Sequence, residues 1–193
     1  RLKEMDGVMG CVALTYMASR EGTNGEEIYQ VEESFTMKWN ELRTYLMDYE
    51  RTVDQIFTGE QEDYAGKRIF LGITNDDRVG VKHSPDGNVI AYRTNRELWS
   101  YDQKEHQGAQ VFSFRGNDRK DMRNNYNRHD IRILQVQDTG DVEFLVYGYQ
   151  NRGNHEGQFG IVGYRYEKEN NVLQEIFYIP VTASFEQLAA DLE

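Results

Sequence analysis

The sequence predicts a mainly β chain: two four-stranded antiparallel sheets, preceded by a small β-hairpin-and-helix element. Three observations lead there. Short runs of valine, isoleucine, tyrosine and phenylalanine recur along residues 68–179, and such residues suit a pleated, half-buried surface. Turn-type residues separate the runs every ~8–12 residues, the spacing of an all-β fold. Most links are short, and a parallel pair needs a long crossover, so neighbouring strands are expected to run antiparallel.

A chain of 193 residues allows one domain, or a main domain with a smaller appendage. The division expected is a hairpin-helix subdomain over 1–66 and the two sheets, with a short C-terminal helix, over 67–193. Thirteen tyrosines, nine phenylalanines and two tryptophans supply much of the core material. Net charge is −11, from 22 basic and 33 acidic residues. Such a chain repels nucleic acid and anionic lipid unless it carries a local basic patch. Cys11 is the single cysteine, so an internal disulfide is excluded. No apolar run reaches the ~18 residues of a membrane span, and no signal peptide is visible. The chain opens at Arg1 and closes on Leu192-Glu193, which is read as a piece cut from a longer protein.

Taken in order, residues 11–18 (CVALTYMA) and 28–37 (IYQVEESFTM) read as a hairpin around a Gly/Asn/Thr turn. Trp39, Leu42, Tyr45, Leu46 and Tyr49 then recur at helical spacing. Thr52-Val53-Asp54-Gln55 has the form of a capping box, predicting a second short helix over 53–57. Residues 21–63 hold twelve acidic and three basic side chains, read as a solvated negative face. Strands are predicted at 68–74 (RIFLGIT), 78–83, 88–94, 97–101 and 109–114, with a tight turn at Asn95-Arg96. A second set of four falls at 131–137, 142–149, 158–167 and 172–179. Val142-Glu143-Phe144-Leu145-Val146-Tyr147 is apolar on both faces, as in an inner strand. Gly160 and Gly163, inside a strand, mark a close backbone approach or a bulge. Residues 150–157 (QNRGNHEG) read as a projecting loop, and 116–128 as the least structured stretch. Ser184-Phe185-Glu186-Gln187 opens the terminal helix. The hairpin is expected to cover an edge or face of one of the two sheets, burying Trp39, Leu42 and Leu46.

His83-Ser84-Pro85-Asp86-Gly87-Asn88-Val89-Ile90-Ala91-Tyr92, followed by Leu98-Trp99-Ser100-Tyr101-Asp102, resembles the repeat of TolB-type, WD40-like β-propellers. Proline presets the turn, aspartate caps it, and glycine takes a positive φ. The match covers about residues 79–114, and His83 stands where that family has an aromatic residue. Asp138-Thr139-Gly140-Asp141, Phe144-Leu145-Val146-Tyr147 and Val162-Gly163-Tyr164-Arg165-Tyr166-Glu167 make a second, degenerate copy. The resemblance implies two blade-like sheets, a β-propeller-like fragment; a closed ring needs about four to eight blades. It also implies an extracytoplasmic setting.

The motifs of catalysis are absent. His83, His106, His129 and His155 have no zinc-site spacing. Gly-x-Ser-x-Gly, Walker and dinucleotide fingerprints are missing. Cys11, in an apolar strand, reads as a small core residue. No metal or cofactor is implied. The one charge anomaly is residues 115–132, with Arg115, Arg119, Lys120, Arg123, Arg128 and Arg132 around Asn124, Asn125, Tyr126 and Asn127. Loops of arginine, asparagine and tyrosine suit a carboxylate, phosphate or glycan. The candidate surface is therefore Arg115, Arg119, Lys120, Arg123, Tyr126 and Arg128, joined by Asn151, Arg152 and His155 of the 150–157 loop. The function expected is a non-enzymatic binding or scaffolding module of a larger extracytoplasmic protein. Its partner would be a protein or a small anionic or glycan ligand, with no nucleic acid and no membrane insertion. The alternative is the accessory propeller of a hydrolase whose catalytic residues lie elsewhere.

Overall fold

The computed structural model describes residues 2–23, 25–60, 63–64, 68–74, 79–94, 96–118 and 121–192. Among them, twelve strands form three four-stranded antiparallel sheets, and one α-helix closes the chain. The chain is mainly β, as its residues predict. It divides into two compact units, Arg1–Asn75 and Asp76–Glu193.

The first unit is one sheet in the order β1 (Leu2–Asp6), β2 (Met9–Gly22), β3 (Gly25–Trp39), β4 (Thr44–Gln55). The expected hairpin is present and longer than expected: β2 and β3 pair without a break from Met9↔Lys38 to Gly22↔Gly25. The helices expected after it are not. Asn40 starts a tight turn, its Oδ1 accepting from the backbone N–H groups of Leu42 and Arg43 at 3.0 Å each. The chain then returns as β4, antiparallel to β3. The helical spacing has a different cause. Thr36 pairs with Asp48 and Met37 with Leu46, so Met47 is an extra residue. Such a bulge shifts the alternation by one. Leu46 and Tyr49, three apart, thereby share a face, as they would on a helix. The Thr52–Gln55 box is likewise part of β4.

Leu42 sits at the turn with 92% of its surface exposed, and Leu46 is exposed as well. The hairpin therefore does not bury these side chains, and its strands belong to a sheet of their own rather than extending either sheet of the second unit. Residues 68–74 are also not a strand. Gly72 takes φ +77° in the middle of the run, outside the extended region. The backbone makes isolated bonds instead, Phe70 N–H to Asp63 O at 2.8 Å and Gln55 N–H to Ile73 O at 2.6 Å.

The second unit holds two sequential meanders. The first comprises β5 (Val81–His83), β6 (Val89–Thr94), β7 (Glu97–Asp102) and β8 (Gln107–Ser113). The second comprises β9 (His129–Val136), β10 (Val142–Tyr149), β11 (Phe159–Glu167) and β12 (Val172–Pro180). These follow the predicted strands closely. Val89, Ala91, Leu98 and Val111 of the first meander share one core with Ile131, Val142, Phe144, Val146 and Val162 of the second. Phe112 lies 5.8 Å from Phe144 and 5.7 Å from Tyr164, joining the two sheets ring to ring. Arg93 pairs with Asp130, and Lys82 Nζ donates to Leu134 O at 2.6 Å, fastening the first meander along β9.

Each meander opens with the same kind of turn. Gly87 has φ +75° and Gly140 φ +92°, as their place in the turns requires. Ser84 Oγ donates to Asp86 Oδ1 at 2.7 Å, and the Asn88 N–H reaches the same oxygen at 3.0 Å. The two turns touch: the Asp86 N–H donates to Asp138 Oδ1 at 3.0 Å. Gly163 lies against the Phe177 ring of β12 and Gly160 against the Ile179 carbonyl, so a side chain at either would collide. The terminal helix α1 (Phe185–Leu192) is capped by Ser184, whose Oγ accepts from Gln187 N–H at 3.2 Å. It buries Leu188, and Phe185 stacks on Tyr147 at 6.1 Å.

Candidate functional site

The β6–β7 turn, residues 114–128 and residues 150–157 meet at one end of the second unit. Most of the predicted surface lies here, but neither long loop hangs free. Gln150 and Asn151 are buried, so the 150–157 loop is rooted in the fold, while Gly153, Asn154, Glu156 and Gly157 are exposed. Asn151 Nδ2 donates to Phe114 O at 2.9 Å and Arg123 O at 3.0 Å. Those bonds help satisfy carbonyls of irregular backbone, which Arg152 Nε and the Tyr126 N–H also approach at 3.4 Å each. Residues 116–128, expected to be the least structured, contain among the described residues one 3-10 turn, Met122–Asn125. Asp121 caps it by accepting from the Arg123 N–H at 3.0 Å.

The arginines are tied into the same network. Arg115 Nη1 lies 3.2 Å from Glu97 Oε1; Glu97 is buried and Arg115 half-buried. Glu97 also accepts from Trp99 Nε1 at 3.1 Å and Ser113 Oγ at 3.0 Å. A buried carboxylate requires such saturation. Asp121 Oδ2 receives Arg123 Nη2 at 2.8 Å and Arg152 Nη2 at 2.9 Å. The hydrogen-bonded Arg123 guanidinium, with its own backbone N–H and Arg152, holds the Asp121 carboxyl well below the usual carboxylate range. Arg123 reaches across to Glu156 at 3.1 Å. Arg152 also donates to Asn124 Oδ1 at 2.6 Å, which accepts the Gly116 N–H at 2.9 Å.

The remaining predicted residues are placed as follows. Tyr126 packs 4.3 Å from Tyr149, and its carbonyl accepts from Arg96. Arg128 is exposed, and its carbonyl accepts the Tyr149 N–H at 2.9 Å. His155 stacks on Tyr178 at 3.8 Å and lies 2.7 Å from Glu175 Oε1. Arg119 and Lys120 lie outside the described residues. Arg115, Arg123 and Arg152 are matched by Glu97 at the start of β7 and by Asp121 and Glu156 of the loops, so these three cations already have acidic partners at this end.

Two residues essential to this end, Glu97 and His129, were not assigned to it by sequence reasoning. Glu97 meets Arg115 across 18 residues and His129 meets Tyr149 across 20, and no local spacing announces either contact. His129 is 2% exposed and stacks on Phe114 at 3.5 Å. Its Nδ1 is 3.1 Å from the Tyr149 carbonyl. A carbonyl can only accept, so Nδ1 carries the proton and Nε2 the lone pair. Nε2 is buried with no hydrogen-bond partner. Burial, with Arg96 and Arg115 nearby, pushes the imidazole down to about 3.

Cys11 lies 3.6 Å from Ser34 Oγ in the first unit, half-buried. Among the described residues, no three His, Cys, Asp or Glu side chains gather as a metal site. No helix of the described residues is long and apolar enough to cross a membrane. No family model matches the chain, and no curated protein matches it.

Proposed function

We propose that the chain is a non-enzymatic binding or scaffolding module of a larger, extracytoplasmic protein, and that its second unit is a pair of propeller-type blades. The observation that carries this reading is the repeated plan of the two meanders. Each has four strands in sequence order, each opens on a positive-φ glycine turn, and the two turns meet through Asp86 and Asp138. Sheets packed face to face in this way are the building step of a propeller.

The loop end supports a scaffolding role. Its ionic groups fix loop to loop, and reactive chemistry needs groups held toward a substrate instead. What those loops offer a partner is a rigid rim, with Arg128, Glu156 and the exposed part of Arg123 outermost. The test is a panel of ester, amide, phosphoester and glycoside substrates presented to the purified protein. No turnover is expected. Turnover that one point substitution abolishes overturns the reading.

A further inference from the structure

His129 sits where the irregular loop end meets the regular sheet. It is the first residue of β9 and pairs with Gly148 of β10, which has φ +103°. A Cβ at Gly148 would meet Arg128 O and His129 Cα, so the missing side chain lets the chain lie this close. The imidazole is buried, flat on Phe114, with the Tyr126 ring 6.0 Å away. Its cover is thin. Asn127 and Arg128, directly before it, are exposed, and the described residues of 114–128 include no strand. Side chains hold that stretch instead: Asn124 Oδ1 takes the Gly116 N–H, and Asn151 Nδ2 bridges Phe114 O and Arg123 O. Segments held in this way, outside the ladders, are those that open locally.

The charges that act on the imidazole are positive: Arg96 of the β6–β7 turn and Arg115 after β8. The carboxylates of the neighbouring strands are committed elsewhere. Glu97 of β7 takes Arg115 and Ser113 on Oε1 and Trp99 on Oε2. Asp130, next along β9, takes Arg93 and the Tyr147 hydroxyl on Oδ2 and the Ile131 N–H on Oδ1. From β10 the ring meets the Tyr149 carbonyl, which Nδ1–H already uses. A proton on Nε2 therefore finds no acceptor among the described residues. It would make a buried charge beside two guanidinium groups, the arrangement that burial penalises most.

We propose that His129 is an acid-released latch on the loop end: when it takes a proton its ring leaves Phe114, and residues 126–128 lift with it while the ladders from Ile131 onward stay paired. The direction follows from linkage. Burial, with Arg96 and Arg115, holds the closed ring's titration at about 3, whereas a ring in water titrates near 6.5. Between those values the opened form binds the extra proton, so opening gains about tenfold for each pH unit lost. Two bonds go with the lifted segment, the Tyr149 N–H to Arg128 O at 2.9 Å and Arg96 to Tyr126 O. At neutral pH the uncharged ring keeps the loop end shut.

Amide hydrogen exchange of the whole chain, resolved by NMR and normalised to the unstructured-chain rate at each pH, tests this. Between pH ~7.5 and pH ~4.5 the Tyr149 N–H should lose protection by roughly 100-fold. It should stay less protected than the ladder amides of residues 144–146, and urea too dilute to unfold the chain should leave its rate unchanged. His129→Phe keeps a ring on Phe114 and takes no proton; His129→Gln keeps a donor for the Tyr149 carbonyl. Both should lack the acid-dependent loss. The proposal is overturned by a Tyr149 protection that ignores pH, or by an acid-dependent loss that either variant retains. It is also overturned if Tyr149 matches the amides of residues 144–146 at every pH and urea concentration, because His129 would then act through global unfolding alone. The first and last of these results need only the wild-type chain.

Discussion

In the second unit, β6–β8 and β9–β11 turn their apolar faces toward each other, and Val89, Leu98, Phe144 and Val162 lose contact with water. In the first unit, β2–β4 carry an equally marked apolar face, with Leu14, Phe35, Leu46 and Tyr49 on it, and it stays half open. The strands are alike in composition and pairing. What differs is the second layer. A sheet buries one face only when something lies on it, and burying a large side chain contributes about 1.5–3 kcal/mol. The meander pair supplies its own second layer; among the described residues, the single sheet largely does not.

Phe144→Ala sharpens that contrast most. Phe144 has no exposed surface and joins both sheets through Phe112 and Tyr164. The loss should be about 3–5 kcal/mol, read from urea unfolding. Leu42→Ala, at the exposed turn of the first unit, should stay within about 0.5 kcal/mol. Equal costs would mean the two units are not so differently packed.

Arg115→Met attacks the loop end. It leaves Glu97 buried without its cation and should cost about 3 kcal/mol by the same measurement. A neutral outcome would show that Trp99 and Ser113 suffice to hold the carboxylate.

Legibility in the sequence followed the same division. Strands β6–β12 were readable because short runs of β-branched and aromatic residues fill them and polar turn residues mark their ends. β4 was not, because the Met47 bulge converts a period of two into a spacing of three. Residues 68–74 have the composition of a strand, yet Gly72 at positive φ interrupts them. At the loop end, Arg115, Arg123 and Arg152 were legible as a group. Two of their carboxylates were not: Glu97 lies 18 residues before Arg115, and Glu156 lies 33 after Arg123. A cation is visible in a sequence; its neutralisation is a property of the fold.

His129 adds a pH dependence to the second unit. Its folded imidazole titrates at about 3, against about 6.5 in the unfolded chain. Unfolded chains therefore bind the extra proton between those values. The neutral form's stability is complete above pH ~6.5 and is lost as pH falls toward 3. From pH 7 to pH 5 the loss from this one group should be about 2 kcal/mol. The urea midpoint of His129→Gln, compared at the two pH values, should lack that part of the decline. An unchanged decline would place its origin elsewhere.

Gly87→Val should cost less than the losses at Phe144, Arg115 and His129. No atom lies within 4 Å of a Cβ added there, so the cost is the backbone's alone, roughly 1 kcal/mol or more for a branched residue at positive φ. Gly140→Val should cost more, because Lys168 lies against that position. The difference between the two measures how far the two turns are equivalent.

The order of the strands in the two meanders also bears on how the chain assembles in time. Every hydrogen-bonded neighbour within a meander is the next strand in sequence, so each sheet can zip from local hairpins with little loop-closure entropy. The contacts between meanders are of another kind. Lys168 holds Asp102 across 66 residues and Asp86 holds Asp138 across 52. A ribosome delivers residues 81–113 well before 129–180. Until the second meander emerges, Val89, Ala91 and Leu98 have no layer to cover them. The first sheet spends that interval complete in its hydrogen bonds and bare on one side, the stage at which a chaperone would hold it.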